Sequence, residues 1–332
     1  MAEFPAAPAS VFDSNGTLRA GTYEGSLRDV DIAPGLRGWF HTIRHRKRWM
    51  YTSIASDELF VSVAVVKLGY AANTFAFGYD PRERRMLFDQ SHLLLPHEVR
   101  VADTAGEGCD AAASRGARRV RMTRERGSNE YVLSAALGDV SIDARLDASS
   151  APPGMTAIAP LAPELFNVTE KRTLLPARGT CRVGARTFSF DGGVGGFDYT
   201  HGLLLRHTVW RWGFGLGRDT DGRRVAFNLT EGFLGRRECV AWSGDSLAQL
   251  GTASFSFDPR KTLAPWTISS DDGSIDLRFV PGAEHAEHRN LGIIRSRFVQ
   301  PVGAFSGTLR VNERTVRLER VLGVVEDQDV VW

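Results

Sequence analysis

The segment Val140-Ser141-Ile142-Asp143-Ala144-Arg145-Leu146 alternates strictly between apolar and polar residues. Successive side chains of an extended strand point to opposite faces, so this pattern buries one face and wets the other. Similar short segments recur at residues 39–43, 49–54, 59–66 and 74–79, where Phe75, Phe77 and Tyr79 share a face. Turn chemistry separates them, including the repeated stop Asp80-Pro81-Arg82 and Asp258-Pro259-Arg260. Helical periodicity is confined to two short pieces, around 92–99 and 162–166. Many short strands with little helix predict an all-β protein built from antiparallel barrels or open barrels.

At 332 residues the chain is long for one domain. Residues 1–20 read as an irregular lead-in, 21–150 as a first β domain, the proline-rich stretch 151–163 as a linker, and 164–332 as a second β domain. The halves echo each other. Arg44-His45 followed by Trp49 and a β-branched strand resembles Arg206-His207 followed by Trp210, Trp212 and a strand, the pattern expected of two divergent copies of one module. Asp272-Gly273 between two alternating runs predicts a hairpin, and Asn312-Glu313 the turn of another.

The charge balance, 41 Lys+Arg against 39 Asp+Glu, gives no electrostatic reason for a nucleic-acid or acidic-membrane partner. One basic run, Arg44-His45-Arg46-Lys47-Arg48, reads as a solvated strand end or turn. Three widely spaced cysteines suit reduced thiols, no apolar run approaches a membrane span, and the N-terminus lacks a secretory pattern, so a cytoplasmic location is expected. Glu284-His285-Ala286-Glu287-His288 lacks the spacing of a helical zinc motif, and no metal or cofactor is expected.

The chemistry-bearing residues crowd into 197–242. Asp198, Tyr199, Thr200 and His201 place a carboxylate, a phenol, a hydroxyl and an imidazole in sequence. On a strand, Asp198 and Thr200 face one way and Tyr199 and His201 the other. Either pair suits proton transfer in an apolar cavity, and a turn capped by Asp198 is the alternative. Trp210 and Trp212 share a face, either as the wall of a ligand cavity or as ordinary core. Asn228 and Glu231 bracket a strand end; Glu231 is read either as a catalytic acid or as the partner of Arg206, Arg236 or Arg237. With Trp242 and Arg206 these residues complete the expected wall. The acidic run Glu326, Asp327 and Asp329 reads as a solvated tail.

Asp198-Tyr199-Thr200-His201-Gly202, Trp210-Arg211-Trp212, Asn228-Leu229-Thr230-Glu231-Gly232, Asn290-Leu291-Gly292 and Leu322-Gly323-Val324-Val325-Glu326-Asp327 resemble a bacterial group known as domain-of-unknown-function family 2804. The resemblance covers essentially the whole chain and implies no reaction. More distantly, the tandem β pattern with a tryptophan-rich centre is similar to lipocalin-like enzymes such as carotenoid 1,2-hydratase and tocopherol cyclase. That similarity implies two lipocalin-like halves and a hydrophobic, isoprenoid-like ligand. Asp198 or Glu231 would then protonate an alkene, Trp210 and Trp212 would stabilise the cation, and Tyr199 or His201 would relay protons. Whether the chain turns anything over stays open: a non-catalytic lipid carrier or sensor, and a glycosidase-like carboxylate pair, are the competing expectations.

Overall fold

Strands pair almost entirely with antiparallel neighbours in two sheets. The structure, a computed structural model, describes residues 4–290, 292 and 294–332. One sheet curls into a nearly closed barrel and the other into a half-barrel. The all-β expectation in two halves holds.

The first sheet runs, neighbour by neighbour, through Arg85–Leu94, Ala72–Asp80, Phe60–Leu68, Arg46–Ala55, Val194–Leu203, Leu165–Val183, Val140–Asp147, Glu130–Leu137, Arg118–Thr123, Asp110–Arg115 and Val99–Val101. The alternating segment Val140 to Leu146 behaves as its pattern dictates. Ile142, Ala144 and Leu146 are buried in a core that also holds Tyr131, Phe197 and Tyr199, while Asp143 and Arg145 are exposed. The second sheet runs Ser246–Gln249, Val240–Ser243, Arg224–Gly232, His207–Arg218, Arg314–Val331, Arg295–Val311, Ile275–Asn290, Trp266–Ser270 and Ala253–Ser256. Both expected hairpins form: Trp266–Ser270 pairs with Ile275–Asn290, and Val311 opposes Arg314 across Asn312 and Glu313.

One run of sequence sets the shape of the second core. In Trp212-Gly213-Phe214-Gly215-Leu216, the large side chains take one face and the glycines the other. The glycine face receives Phe227, whose register partner is Gly215 and whose ring would overlap any Cβ there. Phe227 then meets Phe305 edge-on, with ring centroids 4.8 Å apart. Phe227, Leu229, Phe305 and Val325 belong to the second core, whereas Trp212, Phe214 and Trp242 lie on the opposite, equally buried face.

Contact grouping divides the chain at Leu205/Arg206. Arg206–Trp332 and the hairpin tip Tyr79–Met86 form one unit, and residues to Gly78 with Leu87–Leu205 form the other. The stretch expected as a linker holds a strand instead, Met155–Ala162, whose register against Leu165–Val183 shifts between Pro160 and Ala162. Pro160, which lacks an N–H, sits at that irregularity, where a missing donor is tolerated.

Three local expectations need correction. Residues 39–43 read as a strand but lie in the helix Trp39–His45, with Gly38 at its N-cap at φ 98° and Arg44 and His45 in its last turn. No residue of that helix is buried, and Trp39 is 76% exposed. Around 92–99 the chain finishes the strand Arg85–Leu94 and makes a single 3-10 turn, Pro96–Glu98. Around 162–166 it makes a turn between strands, with Glu164 at φ 64°.

Candidate functional site

The stretch 197–242 does not form one wall. Val194–Leu203 lies in the first sheet and His207–Arg218 in the second. Asp198, Tyr199 and His201 therefore belong to one unit, and Arg206, Trp210, Trp212, Asn228, Glu231 and Trp242 to the other.

In the first unit, strand alternation separates Asp198 from Tyr199 and His201 as expected. Asp198 opposes Tyr51 on one side and Lys171 on the other. Lys171 Nζ lies 2.5 Å from Asp198 Oδ2, with both side chains almost fully buried, and Thr169 donates to Asp198 Oδ1 at 3.4 Å. Asp198 is thus a paired carboxylate in mid-strand and caps no turn. The same face carries Tyr51 Oη 2.6 Å from Ser62 Oγ, and Asn167, whose two amide atoms are buried without a hydrogen-bond partner among the described residues.

Tyr199 and His201 face the first core. Tyr199 donates to the Ala102 carbonyl at 2.9 Å. Arg46 Nε donates to His201 Nε2 at 3.0 Å, and Asp103 lies 3.5 Å from Nδ1. Burial, reinforced by Arg46 and Arg48, holds the His201 pKa well below the usual histidine value, so the ring is neutral. Glu170, on the same face as Tyr199, accepts from Ser26 at 2.5 Å, and burial raises its pKa to about 7. Sequence reading missed Glu170 because an acid followed by Lys171 and Arg172 looks like part of a solvated charged stretch and carries no local sign of burial.

In the second unit, four expected residues meet on one face. Trp212 Nε1 donates to Asn228 Oδ1 at 2.8 Å, and Asn228 Nδ2 donates to the Glu238 carbonyl at 2.7 Å. Thr230, opposite Trp212, donates to Glu238 Oε2 at 3.0 Å. Trp242 lies on the neighbouring strand, opposite Ala226, and is fully buried on this face. Trp212 stacks on Phe214 with ring centroids 5.3 Å apart. Trp210, half-buried at the edge, packs 5.7 Å from Phe233 and donates from Nε1 to Glu326 Oε2 at 2.9 Å. Gln300 Nε2 donates to the other Glu326 oxygen, while Gln300 Oε1 is buried without a hydrogen-bond partner among the described residues.

The carboxylate beside the indoles is therefore Glu326, not Glu231. Glu231 projects to the other face, where its register partner Arg211 approaches to 3.3 Å and the Phe255 amide donates to it at 3.0 Å. Asp327 joins that face, 2.6 Å from Arg297. The acidic run expected as a solvated tail is instead a strand whose Glu326 and Asp327 are buried, a placement signalled by the flanking Val324-Val325 and Val330-Val331. Arg206 donates to the Trp332 carbonyl at 2.6 Å. His285 and Glu287 fall on one strand face, 3.6 Å apart. Among the described residues no three His, Cys, Asp or Glu side chains gather as a metal site requires. None of the described helices is long and apolar enough to cross a membrane.

The family described as Domain of unknown function (DUF2804) matches residues 3–332. The chain belongs to DUF2804. No curated protein matches it. Two solved structures share the fold of this DUF2804 chain at low identity. An AttH protein from Nitrosomonas europaea is 12% identical with a TM-score of 0.52, over 85% of this chain and 92% of that one. Kievitone hydratase from Nectria haematococca is 11% identical with a TM-score of 0.52, over 99% of this chain and 98% of that one. The DUF2804 motifs quoted from the sequence thus divide between the sheets, with Asp198 to Gly202 in the first and Trp210 to Glu231 and Leu322 to Asp327 in the second.

Proposed function

We propose that the protein binds a hydrophobic small molecule on the tryptophan face of the second sheet and hydrates or cyclises an alkene there, using Glu326. One observation carries this reading: a buried carboxylate sits against the indole of half-buried Trp210, beside stacked Trp212 and Phe214. In its protonated form Glu326 gives a proton to one alkene carbon, leaving a cation on the other. An indole face beside that cation contributes roughly 1–2 kcal/mol. The Trp210 and Gln300 donors stabilise the carboxylate formed in the same step. Water then adds to the cation and returns its proton to Glu326, completing hydration. In cyclisation a neighbouring hydroxyl or carbon of the substrate supplies that proton. The fold shared with a structure named as a hydratase is compatible with this chemistry and lends it no residue.

A second reading, a non-catalytic carrier, draws on the hydrogen-bonded chain Trp212–Asn228–Glu238–Thr230, which engages polar groups of this face with one another. Native mass spectrometry, followed by incubation with prenylated phenols and polyenes in ¹⁸O water, separates the two. The enzyme reading expects a product heavier by one labelled water, or an isomer, that disappears in Glu326→Gln while ligand retention persists. A retained ligand without product establishes the carrier, and an empty protein inert to the whole panel sinks both.

A further inference from the structure

The first unit contains a cavity remote in sequence from the tryptophan face. Its volume is 290 Å³, near the lower end of the range that holds small ligands. Its floor is apolar: Leu94, Ala113, Val120 and Leu137 line it and belong to the first core. Its rim carries three arginines, Arg115, Arg118 and Arg119, and the imidazole of His92.

The rim charges are unevenly satisfied. Arg115 is neutralised by a two-pronged pair with Glu98, at 2.9 and 2.8 Å. Arg118 stands directly opposite Arg115 in the hairpin and forms no ion pair among the described residues. The Glu98 carboxylate offsets the repulsion on the Arg115 side and leaves Arg118 with no anion of its own among the described residues. Arg118 also shares strand parity with core-facing Val120, so it leaves the strand on the cavity side. His92 adds a ring nitrogen, Nε2, that is buried without a hydrogen-bond partner among the described residues. An unengaged guanidinium, an unused imidazole nitrogen and an apolar floor converge on one opening.

We infer that this cavity binds a small amphipathic carboxylate, its compact apolar body on Leu94, Val120 and Leu137 and its carboxylate against Arg118 and His92. A planar guanidinium matches a carboxylate through two parallel N–H···O bonds, which a neutral hydroxyl cannot reproduce. The floor selects for an aromatic or short branched body, since a bare anion would leave that surface wet.

Titration calorimetry on the full chain tests this with benzoate, benzyl alcohol and inorganic phosphate as probes. Benzoate is expected to bind, benzyl alcohol and phosphate at least about tenfold more weakly. Arg118→Gln should weaken benzoate about tenfold or more while leaving the melting temperature unchanged, because the side chain is exposed. Benzoate should shift the His92 ring ¹⁵N resonances in the parent and not in Arg118→Gln. Glu326→Gln should leave benzoate binding intact, which separates this site from the tryptophan face. Equal binding of benzoate and benzyl alcohol, no loss in Arg118→Gln, or an unmoved His92 signal would each overturn the assignment.

Discussion

Lys171 and Asp198 show what one side chain can lose when its partner goes. Both are buried, and removing one leaves an uncompensated charge where water cannot reach it. Asp198→Ala should therefore cost about 3 kcal/mol in urea unfolding, while the double variant Asp198→Leu with Lys171→Met should recover most of it. Two further residues of the first unit set opposite pH responses. Burial raises the Glu170 pKa from 4.5 to about 7, so between those values the folded chain keeps a proton that the unfolded chain has released. Stability consequently falls as pH rises through that window. His201 is held neutral, so below 6.5 the unfolded chain takes up a proton that the folded one refuses, and stability falls as pH drops. From 4.5 to 6.5 the two slopes oppose each other. Urea unfolding over a pH series should expose each alone. Glu170→Gln should become acid-sensitive and gain on the order of 3 kcal/mol above neutrality, while His201→Gln should weaken steadily as pH rises towards 7. Candidacy at this scale was legible only for residues in crowded motifs: Asp198 stood out, whereas Lys171 and Glu170 acquire meaning through register and burial.

Alternation decides most of what the strands do, and it locates both the success and the error in reading them. Trp210, Trp212, Asn228 and Trp242 share one face, but only the two-residue spacing of Trp210 and Trp212 is visible in sequence; Asn228 and Trp242 join them through cross-strand register. Glu231 lies three residues from Asn228 on the same strand, a spacing that puts the two on opposite faces, and there it opposes Arg211. The Trp-Gly-Phe-Gly-Leu run supplies a direct test of element packing. Gly215→Ala pushes a methyl into the Phe227 ring, and the displaced ring must move against Phe305. A loss of about 2 kcal/mol is expected by chemical denaturation, with Gly215→Ala/Phe227→Leu regaining part of it. Asn312, at φ 59° in the last hairpin turn, predicts the opposite sign: Asn312→Gly should be neutral or stabilising by a few tenths of a kcal/mol in a thermal melt.

For the whole molecule, the count of two halves was legible and their boundary was not. Periodicity reports that strands exist, but which sheet a strand joins is settled by long-range pairing, here of Val194–Leu203 with Arg46–Ala55. Residues expected to open the second half complete the first sheet, and the chain changes sheets in the few residues after Leu203. The second unit is also not a single run of chain, because it includes Tyr79–Met86. Within it, Arg84 donates to the Pro281 carbonyl at 3.1 Å, Arg320 donates to the Pro81 carbonyl at 2.5 Å, and a Cβ on Gly282 would overlap the Tyr79 hydroxyl. Gene recombination at the Leu205/Arg206 joint would therefore not transfer an intact module. A chimaera taking only Arg206–Trp332 would inherit a recess cut for an arm encoded far upstream, and shuffling this fold requires two crossover points where a simple tandem duplication would need one.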